Sequence, residues 1–182
     1  MNTPFRKIVI SALAVLTTVF SVTWLSCNRD KCKTIVCANK GVCSEGKCTC
    51  PAGFEGSNCE TVARDKFLGI WTVFEKGSIT NAAQYTISIE KTGLITDVVI
   101  KNFNNYFVND IKGTVSGDKL YIYNQQLEGK LTFGQGYIYS NNIYGQYGSI
   151  DMSYEIIDTA TNIPNDYGYY GPDGSAASSW NK

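Results

Sequence analysis

Cysteine thiols are the side chains of this sequence with the most to do chemically. Six of the seven fall between Cys32 and Cys59, spaced Cys32-x4-Cys37-x5-Cys43-x4-Cys48-x-Cys50-x8-Cys59. The seventh, Cys27, stands where an apolar stretch behind Arg6 and Lys7 comes to an end. A basic n-region followed by an apolar run is an export signal, and six clustered cysteines behind it imply an oxidising compartment and three disulfides. An odd thiol at the end of that run points to a separate covalent fate. Spacing alone does not select the pairing of the six.

Other chemistries find few carriers. The chain has no His, which removes the commonest general base and the commonest zinc ligand. Asp151 and Glu155 are four apart on an alternating stretch, so a strand would hold them about 13 Å apart, too far for a glycosidase pair. No Gly-x-Ser-x-Gly elbow follows Cys27. Gly134-Gln135-Gly136 lacks the third glycine and helix start of a nucleotide loop and reads as a bulge or bend in a strand. We therefore expect no enzyme activity, no cofactor and no metal. With 16 basic and 16 acidic residues and no long basic stretch, nucleic acid is not an expected partner.

The elements that hold these residues are strands. Among 182 residues, 12 are Tyr, 17 Gly and only 18% charged, a composition of short strands and turns. A small disulfide module over 32–60 is too short to build an apolar core, so bridges must replace burial. Each loop of about 12 residues contributes roughly 3 kcal/mol in the chain-entropy account. A polar connector follows, and from residue 65 to 160 apolar runs recur: Phe67–Glu75, Tyr85–Ile89, Ile95–Phe103, Phe107–Val115, Leu120–Tyr123, Lys130–Ser140 and Ile143–Ile157. Turn residues separate them, as antiparallel meanders require. Such strands bury their common face by closing into a barrel, with a two-sheet sandwich as the alternative. The residues expected inside are Trp71, Phe74, Ile87, Ile89, Ile122, Met152 and Tyr154, enough bulk for a filled core. Alternation breaks after Thr159, and 161–182 is expected to be a flexible tail. Tyr137, Tyr139, Tyr144 and Tyr147 form a candidate ligand surface for a glycan, against the plainer reading of tyrosines as ordinary sheet residues.

Resemblances sharpen this outline. Trp24-Leu25-Ser26-Cys27 resembles the lipobox of bacterial lipoproteins, although that family usually has Leu three places before the cysteine. The resemblance implies a signal peptide over 1–26, a diacylglycerol-modified Cys27 carrying palmitate-type chains, and a linker over 27–31. Asn28 after the cysteine is similar to an outer-membrane address. A signal anchor is the alternative, since the apolar stretch is just long enough to span a bilayer. Cys48-Thr49-Cys50-Pro51-Ala52-Gly53-Phe54-Glu55-Gly56-Ser57-Asn58-Cys59 resembles the end of EGF-like domains, which implies pairing of Cys32 with Cys43, Cys37 with Cys48, and Cys50 with Cys59. Calcium-binding members carry acidic ligands before the first cysteine, where Lys31 stands here. Phe67-Leu68-Gly69-Ile70-Trp71 resembles the Gly-x-Trp entry of lipocalins. That implies a lipocalin-like barrel with Gly69 and Trp71 at a plugged end; the family's late Arg over the Trp is absent, as no Arg follows Arg64.

These readings combine into an expected bacterial lipoprotein of the cell envelope, with one EGF-like module followed by a lipocalin-like β-domain. It would be held on the outer membrane through Cys27, with surface exposure undecided. The expected function is non-enzymatic binding or adhesion, the EGF-like segment acting as a spacer that presents the β-domain to a glycan or protein. The alternative is carriage of a small apolar ligand inside the barrel.

Overall fold

The computed structural model describes residues 31–168 and 178–182. The expected signal peptide over 1–26 and the lipidation site Cys27 lie outside the described residues, as do 169–177.

The first module is a disulfide framework with little regular structure. β1 (Val42–Ser44) and β2 (Lys47–Thr49) form a hairpin, and β3 (Phe54–Glu55) pairs with β4 (Thr61–Val62). The bridges are Cys32–Cys43, Cys37–Cys48 and Cys50–Cys59. Gly46 turns the hairpin at φ 81°, a conformation open to glycine at no steric cost.

A single turn of 3-10 helix, Ala63–Phe67, leads into the barrel. The barrel strands are β5 (Gly69–Glu75), β6 (Ala83–Lys91), β7 (Asp97–Lys101), β8 (Ile111–Ser116), β9 (Lys119–Leu127), β10 (Lys130–Asn141), β11 (Gly145–Asp158), β12 (Pro164–Tyr167) and β13 (Ser178–Asn181). Every pairing is antiparallel. The meander β5 to β11 closes through β13, which pairs with β11 on one side and with β5 on the other. Eight strands make the ring, and the sandwich alternative falls with its closure. β12 pairs with β11 above β13, and Tyr167 bridges to Gly77 just beyond β5. Two short segments thus fill one seam.

The closing strand lies in the segment expected to be a flexible tail over 161–182. That expectation is corrected for the described residues: β12 and β13 are strands, and Trp180 and Tyr167 are buried. The seam between β11 and β5 would otherwise expose two long edges, and Trp180 adds an indole to the interior.

Trp71, Phe103, Phe107, Tyr154, Ile150 and Trp180 are among the side chains that fill the core, which is packed, not hollow. Phe74, expected inside, is 41% exposed. Strand parity explains it: Trp71 and Val73 point inward, so residue 74 must point out and Glu75 in. The other six residues expected inside are buried. Gly134 and Gly136 also point inward, where a Cβ would come within 2.3 Å of Tyr154 Cβ or 2.6 Å of Met152 Sδ. The bulge expected in that stretch is present at Thr132/Gly134, but the extra residue belongs to β9.

At the closed end the EGF-like module is fixed to the barrel. Arg64 Nη1 donates to the carbonyls of Thr92, Leu94 and Asp97 at 3.0, 2.6 and 2.9 Å, clasping the β6–β7 turn. Lys66, its side chain only 7% exposed, links two units: its ammonium reaches Glu55 of the EGF-like module at 2.7 Å and Asp118 of the β8–β9 turn at 2.6 Å.

Candidate functional site

Strand parity that carries Trp71 and Val73 inward also carries Glu75 into the barrel near its open end, where it is 5% exposed. A buried carboxylate is costly unless hydrogen-bonded, and this one is surrounded by donors. Tyr85 donates to Oε1 at 2.5 Å, Tyr154 to both oxygens at 2.7 Å, Ser178 to Oε2 at 2.9 Å and Asn104 Nδ2 to Oε1 at 2.9 Å. The donors come from β6, β11, β13 and the β7–β8 loop, so the network ties four elements together. Burial, and then the negative charge of Glu75, push the Tyr154 hydroxyl well above its ordinary range, and Tyr85 follows for the same reasons. Both remain protonated donors. Tyr154 stacks on Tyr167 with ring centroids 4.5 Å apart and planes 5° from parallel.

Above this network a pocket of about 310 Å³ opens between the loops. Ile79, Tyr106, Ile156 and Ile163 give it apolar walls, and Asn104, Asn165 and Tyr167 carry its hydrogen-bonding groups. Asn165 Nδ2 donates to the Tyr167 hydroxyl at 2.7 Å and to Thr80 Oγ1 at 3.1 Å, and its Oδ1 accepts from the Ile79 amide at 3.1 Å. One edge is an ion pair, Lys130 Nζ to Asp158 at 2.5 Å, with the ammonium 5.5 Å from the centre of the Tyr106 ring. Asp158 also accepts from the amides of Ala160 and Thr161 at 2.9 and 3.0 Å. Lys130, followed by those amides, holds its carboxyl far below the usual carboxylate range.

Of the four tyrosines proposed as one surface, Tyr137 and Tyr139 share the outer face of β10, and Tyr144 and Tyr147 lie in other settings. Tyr137 is half exposed on the outer face of β10, and Tyr139 on the same face donates to Asp151 at 3.2 Å. Tyr144 sits at the tip of the β10–β11 hairpin, while Tyr147 packs on the core with Lys66 Nζ 5.3 Å from its ring centre. Trp71 lies fully buried near the closed end and donates to the Phe67 carbonyl at 2.7 Å. Gly69, at φ 120°, starts its strand. Lys182 Nζ lies 4.6 Å from the centre of the Trp71 ring and donates to the Lys66 carbonyl at 2.9 Å, so a cation does cover that indole.

Sequence reading missed Glu75, Asn104 and the loop residues of the pocket. The signal for Glu75 was present, since counting by twos from Trp71 puts an acid at an inward position. Four Ser-x-x-Lys spacings, Ser44 to Lys47, Ser88 to Lys91, Ser116 to Lys119 and Ser179 to Lys182, sit on hairpins, within a strand or at a strand end. None lies on the helical turn that would bring hydroxyl and amine together.

Residues 35–62 match the family model of the Teneurin-like EGF domain. An EGF-like module with three disulfides, followed by a closed antiparallel eight-stranded β-barrel, fits an extracellular protein.

Proposed function

We propose that this protein is a lipid-anchored, non-enzymatic binding module of the bacterial cell envelope, in which the EGF-like segment is a rigid base and the barrel is the part presented to a ligand. The observation that carries this reading is the fixed junction at the closed end. Lys66 and Arg64 tie the EGF-like module and its connector to the β6–β7 and β8–β9 turns, so the barrel mouth faces away from the end where the chain enters. A tether at Cys27, five residues before the first disulfide cysteine, then leaves the mouth loops pointing from the membrane. Two or three acyl chains at about 0.8 kcal/mol per buried CH₂ make such an anchor effectively permanent.

The packed core disfavours a ligand along the barrel axis, and the pocket of about 310 Å³ at the mouth supports a second reading, a small ligand held between the loops. Two measurements separate these readings. Intact mass of membrane-extracted protein is expected to show loss of residues 1–26 and added acyl mass at Cys27. An unmodified chain beginning at Met1 contradicts the anchor. Solvent-extracted native protein carrying a stoichiometric apolar molecule would favour carriage over presentation.

A further inference from the structure

The outer wall of the barrel carries a groove that neither the mouth nor the closed end explains. Thr132 pairs with Gln125 and Gly134 with Ile122, so two residues of β9, Tyr123 and Asn124, oppose Phe133 alone. This bulge opens a shallow groove of about 580 Å³, with Tyr121, Tyr123 and Phe133 as its aromatic members and Asn124 and Gln135 as its amides. Bulges re-aim side chains, and here both residues of the bulged pair are exposed, Tyr123 at 66%. Tyr121 and Tyr123 hold their rings near parallel, 11° apart with centroids 6.2 Å from each other. The wall beneath is stiff: Gln125 uses both ends of its amide on the backbone of Lys112, at 2.9 Å each, continuing the β8–β9 ladder past its last strand pair.

We propose that this groove is a binding site for a neutral oligosaccharide, a proposal that rests on the binding-module reading above. Charge decides the class. No residue lining the groove is acidic or basic, so an anionic or cationic ligand finds no counter-charge there and would lose hydration without return. Parallel tyrosine faces match the C–H faces of sugar rings, whose partial positive charge meets the negative π face. The amides of Asn124 and Gln135, which make no hydrogen bond within the described residues, supply a donor and an acceptor each for hydroxyls. An aliphatic ligand would leave those amides unpaired, and a sugar does not.

The test uses the exported full-length protein on an array of neutral oligosaccharides (manno-, cello-, laminari- and xylo-hexaose) with hexagalacturonate as the charged comparison, followed by calorimetry. At least one neutral hexasaccharide is expected to bind, with Tyr123→Ala weakening it tenfold or more and Tyr123→Trp restoring it. An unchanged melting temperature shows that the Tyr123 variants fold. Failure of every neutral hexasaccharide to bind, binding of hexagalacturonate alone, or binding indifferent to Tyr121→Ala and Tyr123→Ala would overturn the site. Sugar binding lost instead on Ile163→Asp would move the ligand to the mouth, overturning this site while leaving the binding-module reading intact. An unlipidated Met1 chain would defeat the anchor independently.

Discussion

At Glu75 one carboxyl group organises the open end. Replacing it with Ala removes the acceptor of two tyrosine hydroxyls and a serine hydroxyl, while Asn104 Nδ2 keeps the Tyr154 hydroxyl as a partner, and each unsatisfied buried group costs about 1–3 kcal/mol. Glu75→Ala is therefore expected to lower stability by roughly 3 kcal/mol or more and Glu75→Gln by less, since Gln keeps one acceptor; chemical denaturation of both variants measures the difference. Asp158 makes a pH prediction. Its carboxyl pKa is depressed below 3.8, so its stabilisation is complete above the ordinary carboxylate range and is lost as pH falls through the lower folded value. The amide resonances of Ala160 and Thr161, which donate to it, should titrate with a midpoint below 3.8, and a midpoint at or above it would remove Lys130 from the explanation.

At the scale of elements, alternation and turn residues made the meander readable, because each strand from β5 to β11 buries one face against a common core. β13 was not readable. A strand of four residues, Ser178–Asn181, offers too few positions for a period of two to stand out, and its place is fixed by the open edges of β5 and β11, far away in sequence. The same limit hid the β9 bulge, which depends on register with β10. Register also explains Gly134, whose missing Cβ makes room for Tyr154. Gly134→Ala would place a carbon 2.3 Å from Tyr154 Cβ and 2.5 Å from the Ser153 carbonyl, so backbone must shift. The expected cost is about 1–3 kcal/mol, read as a lower denaturation midpoint. Gly117→Ala, with nothing within 4 Å of its added Cβ and φ 57°, is expected to carry only the turn strain.

For the whole molecule, the sequence marks where one module ends and the next begins but not how they join. The spacing of Cys48, Cys50 and Cys59 and the alternation after residue 65 identify two units. The junction depends on Lys66, an ordinary charged residue in sequence whose side chain is drawn out of solvent as Glu55 and Asp118 converge on it. Burial, the largest single influence, favours loss of its proton, but hydrogen bonds and charge from Asp118 and Glu55 together outweigh this and raise its pKa above 10.5. Its contribution is thus present in full up to about the unfolded lysine range and is lost at more alkaline pH. Lys66→Met leaves two carboxyl groups facing one another and should destabilise by about 2 kcal/mol, with Asp118's partial exposure keeping the cost below that of a fully buried ion.

Rigid coupling between base and barrel is what turns a tethered module into a directed one, and a distance distribution measures it. Non-cysteine spin labels at Val36 in the EGF-like module and Val108 in the β7–β8 loop, 83% and 90% exposed, perturb no packing. Pulsed electron-electron resonance on the intact protein should return one narrow distance distribution, broadened in Lys66→Met. A broad distribution in the unmutated protein would mean that the two modules tumble separately, and the account of a fixed base holding the barrel mouth outward would be contradicted.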